Sequence, residues 1–287
     1  FYAAVGIIAM LIISHIDYHI LHRFALPLMA LSIVLLVLVL VIGSEYNGAK
    51  RWINLGFGTL QPSEIAKFAV IALFAHIVSL NHEKMKTFRY GVLPFLLVLG
   101  TIAGLMLLEP HLSGTIIILG IGAIMMFVGG TGLAWFGLGI GVGGAGIAGA
   151  VLLVPDLVPY AMTRIQMWQD PFNDPNGYQT VQSLYAIASG GLTGLGIGNS
   201  RQKHLYVPEP YNDFIFSITC EELGFIGALL VIFLFVALLL RGIYVAVNAR
   251  DKFGSMLVVG VIVQITLQAA LNMAVVTDSY GGTLGIV

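Results

Sequence analysis

Long apolar runs separated by short polar stretches dominate the chain, and this pattern predicts membrane-spanning helices. The runs lie near residues 2–16, 24–43, 62–80, 91–108, 113–130, 132–154, 214–240 and 254–276, with a fragment at 280–287. Most approach the roughly 20 residues that a helix needs to cross a bilayer. They lack the alternating polarity of outer-membrane strands. The predicted fold is therefore an all-α, polytopic helical membrane protein, with residues 1–287 forming a single integral membrane domain.

Composition agrees with this prediction and excludes other classes. Of the 287 residues, 58% are hydrophobic and 9% are charged, whereas soluble domains carry about 25% charged residues. The net charge of −1 argues against a dedicated nucleic-acid binder. The only cysteine, Cys220, excludes an intrachain disulfide and a cysteine-based metal cluster.

The distribution of basic residues predicts the orientation of the chain in the membrane. Seven fall in one set of loops: Arg23, Lys84, Lys86, Arg89, Arg241, Arg250 and Lys252. The opposite set of loops contains five: Lys50, Arg51, Arg164, Arg201 and Lys203. The positive-inside rule assigns the first set to the cytoplasm. Most acidic residues then lie outside, and we expect the active face of the protein to be extracytoplasmic.

The longest polar stretch, residues 155–213, is predicted to be a large extracytoplasmic loop. It contains an amphipathic part, residues 177–189, and a glycine-rich part, residues 190–198. Loops of this length are usually functional. We expect the segment to be partly re-entrant or interfacial, because irregular backbone is tolerated at membrane depth where it lines a cavity.

Ionisable residues in or beside the spans are the first candidates for function. Glu64 and Lys67 are three residues apart after Pro62, so they share one helix face. They form either a mutually neutralised structural pair or a polar patch at the outer mouth of a cavity. Glu109, which precedes Pro110 at the end of a span, is a candidate for capping or for cation binding.

Asp213 is the sharpest candidate, because it lies where an outside loop enters an apolar span. Partial desolvation there would make its carboxylate a better proton acceptor. The same residue could also cap the following helix, and the two roles are compatible. Of Glu221 and Glu222, two turns later, one is expected to face a cavity and the other to pack or cap.

The five basic residues predicted to lie outside could bind phosphate, since the planar fork of arginine matches phosphate oxygens. Ordinary anchoring at lipid headgroups is the alternative. His15, His19 and His22 have a spacing that resembles a metal-binding stripe, but only Asp17 accompanies them, so no metal site is expected there.

Three blocks of the sequence closely resemble the SEDS family of cell-wall glycosyltransferases (RodA, FtsW and SpoVE). Residues 48–68 read GAKRWINLGFGTLQPSEIAKF, residues 164–200 read RIQMWQDPFNDPNGYQTVQSLYAIASGGLTGLGIGNS, and residues 207–227 read VPEPYNDFIFSITCEELGFIG. The blocks occur in family order, and the similarity covers nearly the whole chain. The form GNSRQKHLYVPEP is more similar to the division and sporulation branch than to the elongation branch.

The resemblance implies a fold of ten transmembrane helices, about nine of them represented here. It implies polymerisation of lipid II into glycan strands on the outer face of the bacterial cytoplasmic membrane, with Asp213 as the catalytic general base. It also implies a set of substrate-binding residues: Lys50, Arg51, Glu64, Lys67, Glu109, Arg164, Gln179, Gln182, Arg201 and Lys203.

The resemblance also implies what accompanies the chain. A divalent cation, Mg²⁺ or Mn²⁺, is a candidate cofactor, and no organic cofactor is expected. The expected partners are lipid II, a lipid-linked glycan, a class B penicillin-binding protein that supplies transpeptidase activity, and other divisome, elongasome or sporulation proteins; nucleic acid is not among them.

The chain departs from the family pattern at several positions. His111 stands where the family commonly has an aspartate, and Asn212 stands where threonine is common. The family pattern places one further helix before Phe1 and a proline- and glycine-rich segment between Ser279 and Tyr280. Two other functions stay open from the sequence: a lipid II flippase that uses Glu64, Lys67 and Glu109 for gating, and a catalytically weak scaffold for division or sporulation proteins.

Overall fold

The computed structural model describes residues 2–46, 49–54, 56, 58–109, 111–139, 178–202 and 214–277. Within these ranges the chain is predominantly helical, as predicted. The longer helices are α1 (Tyr2–Ser14), α2 (His19–Ile42), α3 (Pro62–Asn81), α5 (Leu93–Leu108), α6 (Leu112–Val128), α7 (Tyr178–Gly190), α8 (Ile215–Val247) and α9 (Lys252–Val276). A four-residue helix, α4 (Phe88–Gly91), precedes α5.

Within the described ranges, five helical segments are long and apolar enough to cross a membrane: His19–Ile42, Pro62–Lys84, Phe88–Leu108, Ile215–Val247 and Lys252–Val276. Large apolar side chains cover their outer surfaces; Phe233, for example, is 65% exposed and Val247 78%. Such an apolar exterior is unsuited to water and matches the hydrocarbon of a bilayer. The chain is therefore an integral membrane protein.

Helix α3 lies at the centre of the bundle. Its side chains at Ala66, Ala69, Ala72 and Ala75 are completely buried, and α2, α5, α6 and α9 pack around it. Alanine at these positions allows neighbouring helix backbones to approach closely, which is the usual basis of helix packing in membranes. Pro62 opens the helix at its first position, where a missing backbone N–H has no consequence.

The predicted spans agree with the helices to within a few residues, except in three places. Helix α2 begins at His19 rather than at residue 24, so Arg23 lies inside it and not in a loop. Helix α8 runs to Val247 rather than to residue 240, so Arg241 lies inside it and not in a loop. The predicted span 132–154 is helical over residues 133–139, and residues 140–154 lie outside the described residues, as does the predicted fragment 280–287.

A small antiparallel sheet, which we did not predict, connects α2 to α3. Its strands are β1 (Ser44–Tyr46), β2 (Ala49–Asn54) and β3 (Thr59–Leu60), in the order β1-β2-β3. Strands β1 and β2 pair in a register that places Glu45 opposite Lys50. The sheet packs on α2 and α3 at the end of the bundle where α3 begins.

Loops that the charge distribution assigned to the cytoplasm gather at one end of the bundle. Tyr18, between α1 and α2, donates a hydrogen bond from its hydroxyl to Asp251, the residue before α9. His22 on α2 contacts Ser79 on α3, with 3.3 Å between Nε2 and Oγ. The three histidines of the predicted sequence stripe do not lie on one helix, because α1 ends at Ser14 and α2 begins at His19.

Asp251 caps α9, and its removal is expected to destabilise this end of the bundle. Its carboxylate accepts the backbone N–H of Gly254 (2.8 Å) as well as the Tyr18 hydroxyl. The Tyr18 hydrogen bond, followed by the Gly254 N–H, lowers the pKa of Asp251. We expect Asp251→Ala to reduce stability by about 1 kcal/mol, the usual effect of losing an N-cap.

Thermal unfolding in detergent would measure this loss. Because the folded-state pKa of Asp251 is lowered, its contribution is present at neutral pH and disappears as the pH falls through that pKa. Wild type and Asp251→Ala should therefore differ at pH 7 and converge below about pH 4. A difference that persists unchanged into acid would contradict this assignment.

Candidate functional site

A buried lysine forms the centre of the candidate site. The Lys67 side chain on α3 is 2% exposed, and its Nζ lies 2.8 Å from Oε1 of Glu64 and 3.0 Å from Oε1 of Gln268 on α9. The prediction that Glu64 and Lys67 share one helix face is confirmed. An ammonium group at this position needs such partners, because an unpaired buried charge is strongly unfavourable.

The turn between α5 and α6 places two more ionisable groups nearby. Glu109 is 1% exposed, and its Oε1 has no hydrogen-bond partner among the described residues. Burial raises the pKa of Glu109 to about 7, against an opposing effect of Arg51. His111, also buried, faces Gln61 with 3.2 Å between Nε2 of each side chain. Burial, assisted by the charges of Arg51 and Lys67, lowers the pKa of His111 to about 4, so its imidazole is neutral near pH 7.

The raised pKa of Glu109 predicts a pH-dependent stability. Because the folded protein holds this proton up to about pH 7 and the unfolded chain releases it near 4.5, stability falls as the pH rises between these values. Glu109→Gln removes the titration and should lose less stability over the same range. We expect the difference between variant and wild type to change by about 1 to 3 kcal/mol from pH 5 to pH 8.

Apparent melting temperatures in detergent at pH 5, 6, 7 and 8 would test this. Glu83→Gln is a matched control, because Glu83 is exposed in the turn after α3. Parallel pH profiles for wild type and Glu109→Gln would contradict the prediction.

A polar cavity of about 190 Å³ adjoins Lys67 and His111. It lies between α3, α6 and α9, and its lining includes Gln61, Glu64, Lys67, His111, Gln268 and Asn272. A larger groove of about 490 Å³, lined mainly by apolar side chains, separates α8 from α9. Gln268 and Asn272 line both spaces, so a polar chamber and an apolar groove share one wall. This arrangement suits a ligand with a polar head and an apolar chain.

The other predicted site residues do not line the polar cavity, or lie outside the described residues. Arg51 on β2 is half-buried and lies within electrostatic range of Glu109 and His111, whereas Lys50 on the same strand has no described side chain. Gln179 and Gln182 lie on α7, with Gln182 half-buried and the Gln179 side chain not described. Arg201 is exposed after the glycine-rich turn. Three predicted residues lie outside the described residues: Arg164, Lys203 and Asp213.

Two polar residues of the site, Gln268 and Asn272, were missed by the sequence analysis. They continue a series from Gln264 at four-residue intervals along a span that is otherwise mostly apolar. Such a series marks one helix face as polar, and polar residues inside a span usually face the bundle interior or a cavity. This signal could have identified the α9 wall of the site.

Together, the fold and the cavity define a class: an integral membrane protein of packed helices, with a buried charged site beside an apolar groove. Residues 1–280 match the cell cycle protein family of FtsW, RodA and SpoVE. The chain therefore belongs to this family.

Several relatives resemble the chain over almost its whole length. Stage V sporulation protein E of Bacillus subtilis (strain 168) is 41% identical, and the match covers 98% of this chain and 80% of the relative. A probable peptidoglycan glycosyltransferase FtsW of Geobacter sp. (strain M18) is 37% identical with the same two coverages. These relatives come from the division and sporulation branch that the sequence resembles.

Solved structures share the fold. One comes from work on the structural coordination of polymerization and crosslinking by a peptidoglycan synthase complex; it has a TM-score of 0.78 and 26% identity, and the match covers 96% of this chain and 76% of that one. The rod shape determining protein RodA of Thermus thermophilus has a TM-score of 0.65 and 25% identity, with coverages of 95% and 72%.

Proposed function

We propose that this protein is a peptidoglycan glycosyltransferase that polymerises lipid II on the outer face of the bacterial cytoplasmic membrane. The observation that carries the proposal is the shared wall of Gln268 and Asn272 between a polar chamber and an apolar groove. A lipid-linked saccharide has the same division between polar head and apolar chain. The 37% identity to a probable peptidoglycan glycosyltransferase supports the proposed reaction.

The proposed reaction is an inverting glycosyl transfer. The Asp213 carboxylate accepts the proton of the 4-hydroxyl on the GlcNAc of the acceptor lipid II. That oxygen forms a bond to the anomeric carbon of the lipid-linked glycan donor. The bond from this carbon to the pyrophosphate oxygen breaks, and undecaprenyl pyrophosphate leaves with the bonding electron pair.

Charged residues would bind the substrate phosphates. In this proposal Arg201 binds the pyrophosphate of the bound substrate, and the negative charge that develops on it is stabilised by Lys50, Arg51, Lys67, Arg164 and Lys203. Glu64 holds the Lys67 ammonium, and Gln179 and Gln182 on α7 contact the saccharide. Because Lys67 is buried beside the polar chamber, its charge acts in a medium that screens it less than water does.

A divalent cation fits one feature of the site. No cluster of three potential metal-binding side chains occurs in the part of the chain that the structure describes. However, Mg²⁺ is often held by only one or two carboxylates together with substrate phosphates. Glu109 presents a buried carboxylate oxygen that has no hydrogen-bond partner in the described parts of the chain. Glu109 would therefore hold Mg²⁺ or Mn²⁺, which would neutralise charge on the leaving pyrophosphate.

We also propose a class B penicillin-binding protein as the transpeptidase partner. The structural relative from a peptidoglycan synthase complex, with its TM-score of 0.78, supports an assembly of this kind. Further divisome, elongasome or sporulation proteins would join the pair, and the similarity to stage V sporulation protein E favours a role in division or sporulation.

A polymerisation assay on purified lipid II tests the proposed function. The detergent-purified protein, alone and with its penicillin-binding protein, should produce glycan strands. Moenomycin excludes a contaminating class A enzyme, so the strands should persist in its presence. Absence of product even with the partner would refute the proposal.

A lipid II flippase is the second candidate, and the break in helix α8 at Gly224 favours it. Broken helices and buried charges are typical of transporters. Lipid II translocation in vesicles, measured beside polymerisation, separates the two functions: a flippase moves the lipid without producing strands.

A further inference from the structure

Helix α8 is interrupted at Gly224, and a glycine-rich turn fills the interruption. Gly224 has a φ of 69° inside an otherwise continuous helix, which frees backbone groups on both sides. The carbonyl oxygens of Glu221 and Glu222 accept the N–H groups of Leu195 (2.9 Å) and Gly196 (3.0 Å). On the other side, the N–H groups of Phe225 and Ile226 donate to residues 191 and 192. The turn thus satisfies polar groups that lipid could not.

Glycine is required at this contact because the two backbones almost touch. A Cβ atom on Gly224 would lie 2.3 Å from the backbone nitrogen of Gly194, and one on Gly194 would lie 2.2 Å from the carbonyl oxygen of Glu222. A Cβ on Gly190 would meet the carbonyl oxygen of Cys220 at 2.0 Å. The position of the turn relative to α8 is therefore fixed by backbone contacts.

The carboxylate of Glu221 then fixes the chain that follows the turn. It is 1% exposed and accepts three hydrogen bonds: from the Ser200 hydroxyl, from the Arg201 backbone N–H (3.0 Å) and from the Gln202 backbone N–H (3.4 Å). Among the described residues, no lysine or arginine forms an ion pair with Glu221. These three described partners belong to three consecutive residues, so the carboxylate holds their backbone as a unit.

Arg201 is the one member of this unit with a charged side chain, and that side chain is exposed. Its backbone is held by a buried anion, while its guanidinium is exposed at the surface of the described residues. A long side chain loses less conformational freedom on binding when its backbone is already fixed. The geometry therefore presents a preorganised cation at the end of the glycine-rich turn.

We propose that Glu221 is a positioning residue that fixes the backbone of Arg201 so that its guanidinium binds the pyrophosphate of the lipid substrate. This inference rests on the proposed function, in which Arg201 contacts that pyrophosphate. Glu221 itself does not touch the substrate. Its contribution is to binding, and it does not take part in the transfer of the sugar.

Binding and turnover measurements on matched variants test the proposal. The variants are Glu221→Gln, Arg201→Ala and the double variant, with Glu222→Gln as the control. Gln at position 222 keeps an acceptor oxygen for the hydrogen bond that this side chain accepts from the Ser200 backbone N–H, with 3.4 Å between the two atoms. Farnesyl pyrophosphate is the binding probe, and steady-state polymerisation of lipid II gives kcat and KM.

We expect Glu221→Gln and Arg201→Ala each to weaken farnesyl pyrophosphate binding about tenfold, as expected for loss of a charged hydrogen bond. Each should raise KM by a similar factor and change kcat less than threefold. The double variant should bind farnesyl pyrophosphate as tightly as the single variant with the lower affinity, because both substitutions remove the same interaction. Glu222→Gln should bind like wild type.

Three results would overturn the proposal. The losses of binding affinity in the two single variants could multiply in the double variant, Glu221→Gln could bind like wild type, or a variant could lose kcat alone. If Glu221→Gln does not fold, Ser200→Ala replaces it, because this variant removes one hydrogen-bond donor and leaves the carboxylate in place. Ser200→Ala should weaken farnesyl pyrophosphate binding in the wild-type background and should have no effect on binding when combined with Arg201→Ala. A wild-type protein that binds farnesyl pyrophosphate but does not polymerise lipid II would refute the proposed function, while the binding measurements would still decide the role of Glu221.

Discussion

Replacing Asp213 with asparagine is expected to reduce lipid II polymerisation at least a hundredfold. A general base in the transition state typically contributes a factor of about 10² to 10⁴, and asparagine cannot accept the proton of the attacking hydroxyl. Asparagine has nearly the shape of aspartate. The N-cap of α8 is Phe214 rather than the predicted Asp213, so the substitution is expected to remove the base without removing a helix cap.

The measurement is the initial rate of glycan strand formation by purified wild type, Asp213→Asn and Asp213→Ala. Asp156→Asn, an acidic residue of the same predicted loop outside the three motif blocks, is the control and should polymerise normally. Melting temperatures should stay near the wild-type value for Asp213→Asn. Full activity of this variant would remove Asp213 from the mechanism, and comparable losses in Asp156→Asn would point to a general effect on the loop.

Local rules predicted those parts of the structure that depend on neighbours in sequence. Helix periodicity placed Glu64 and Lys67 on one face, and their side chains do meet. The amphipathic pattern of residues 177–189 corresponds to helix α7. In both cases the deciding contacts lie within a few turns of one helix, where spacing alone determines which side chains are adjacent.

Contacts between distant residues could not be predicted in this way. Lys67 and Gln268 are 201 positions apart, and only the packing of α9 on α3 brings them together. Gly224 resembles an ordinary packing glycine in an apolar run, and the break in α8 depends on a turn some 30 residues earlier. The strands between α2 and α3 are short, and they owe their stability to the helices beneath them.

Variants of the Glu64–Lys67 pair can show whether the pair only stabilises the fold or also takes part in function. The two side chains differ sharply in burial: Lys67 is 2% exposed and Glu64 is 50% exposed. Glu64→Gln leaves a buried ammonium without its carboxylate and should destabilise the protein by about 3 kcal/mol. Lys67→Met removes the buried charge and leaves a half-exposed carboxylate, which water can solvate, so its effect should be about 1 kcal/mol or less.

The double variant Glu64→Gln/Lys67→Met should therefore recover most of the stability that Glu64→Gln loses, since it buries no unpaired charge. Its polymerase activity should nevertheless remain at least tenfold below wild type, because the cavity no longer contains the Lys67 cation. Gln264→Leu, a polar-to-apolar change one turn before Gln268 on the same helix, is the control and should keep both properties. If the double variant recovers both stability and activity, the pair has only a structural role, since a neutral pair of similar volume serves as well. If it recovers stability alone, Lys67 takes part in substrate binding.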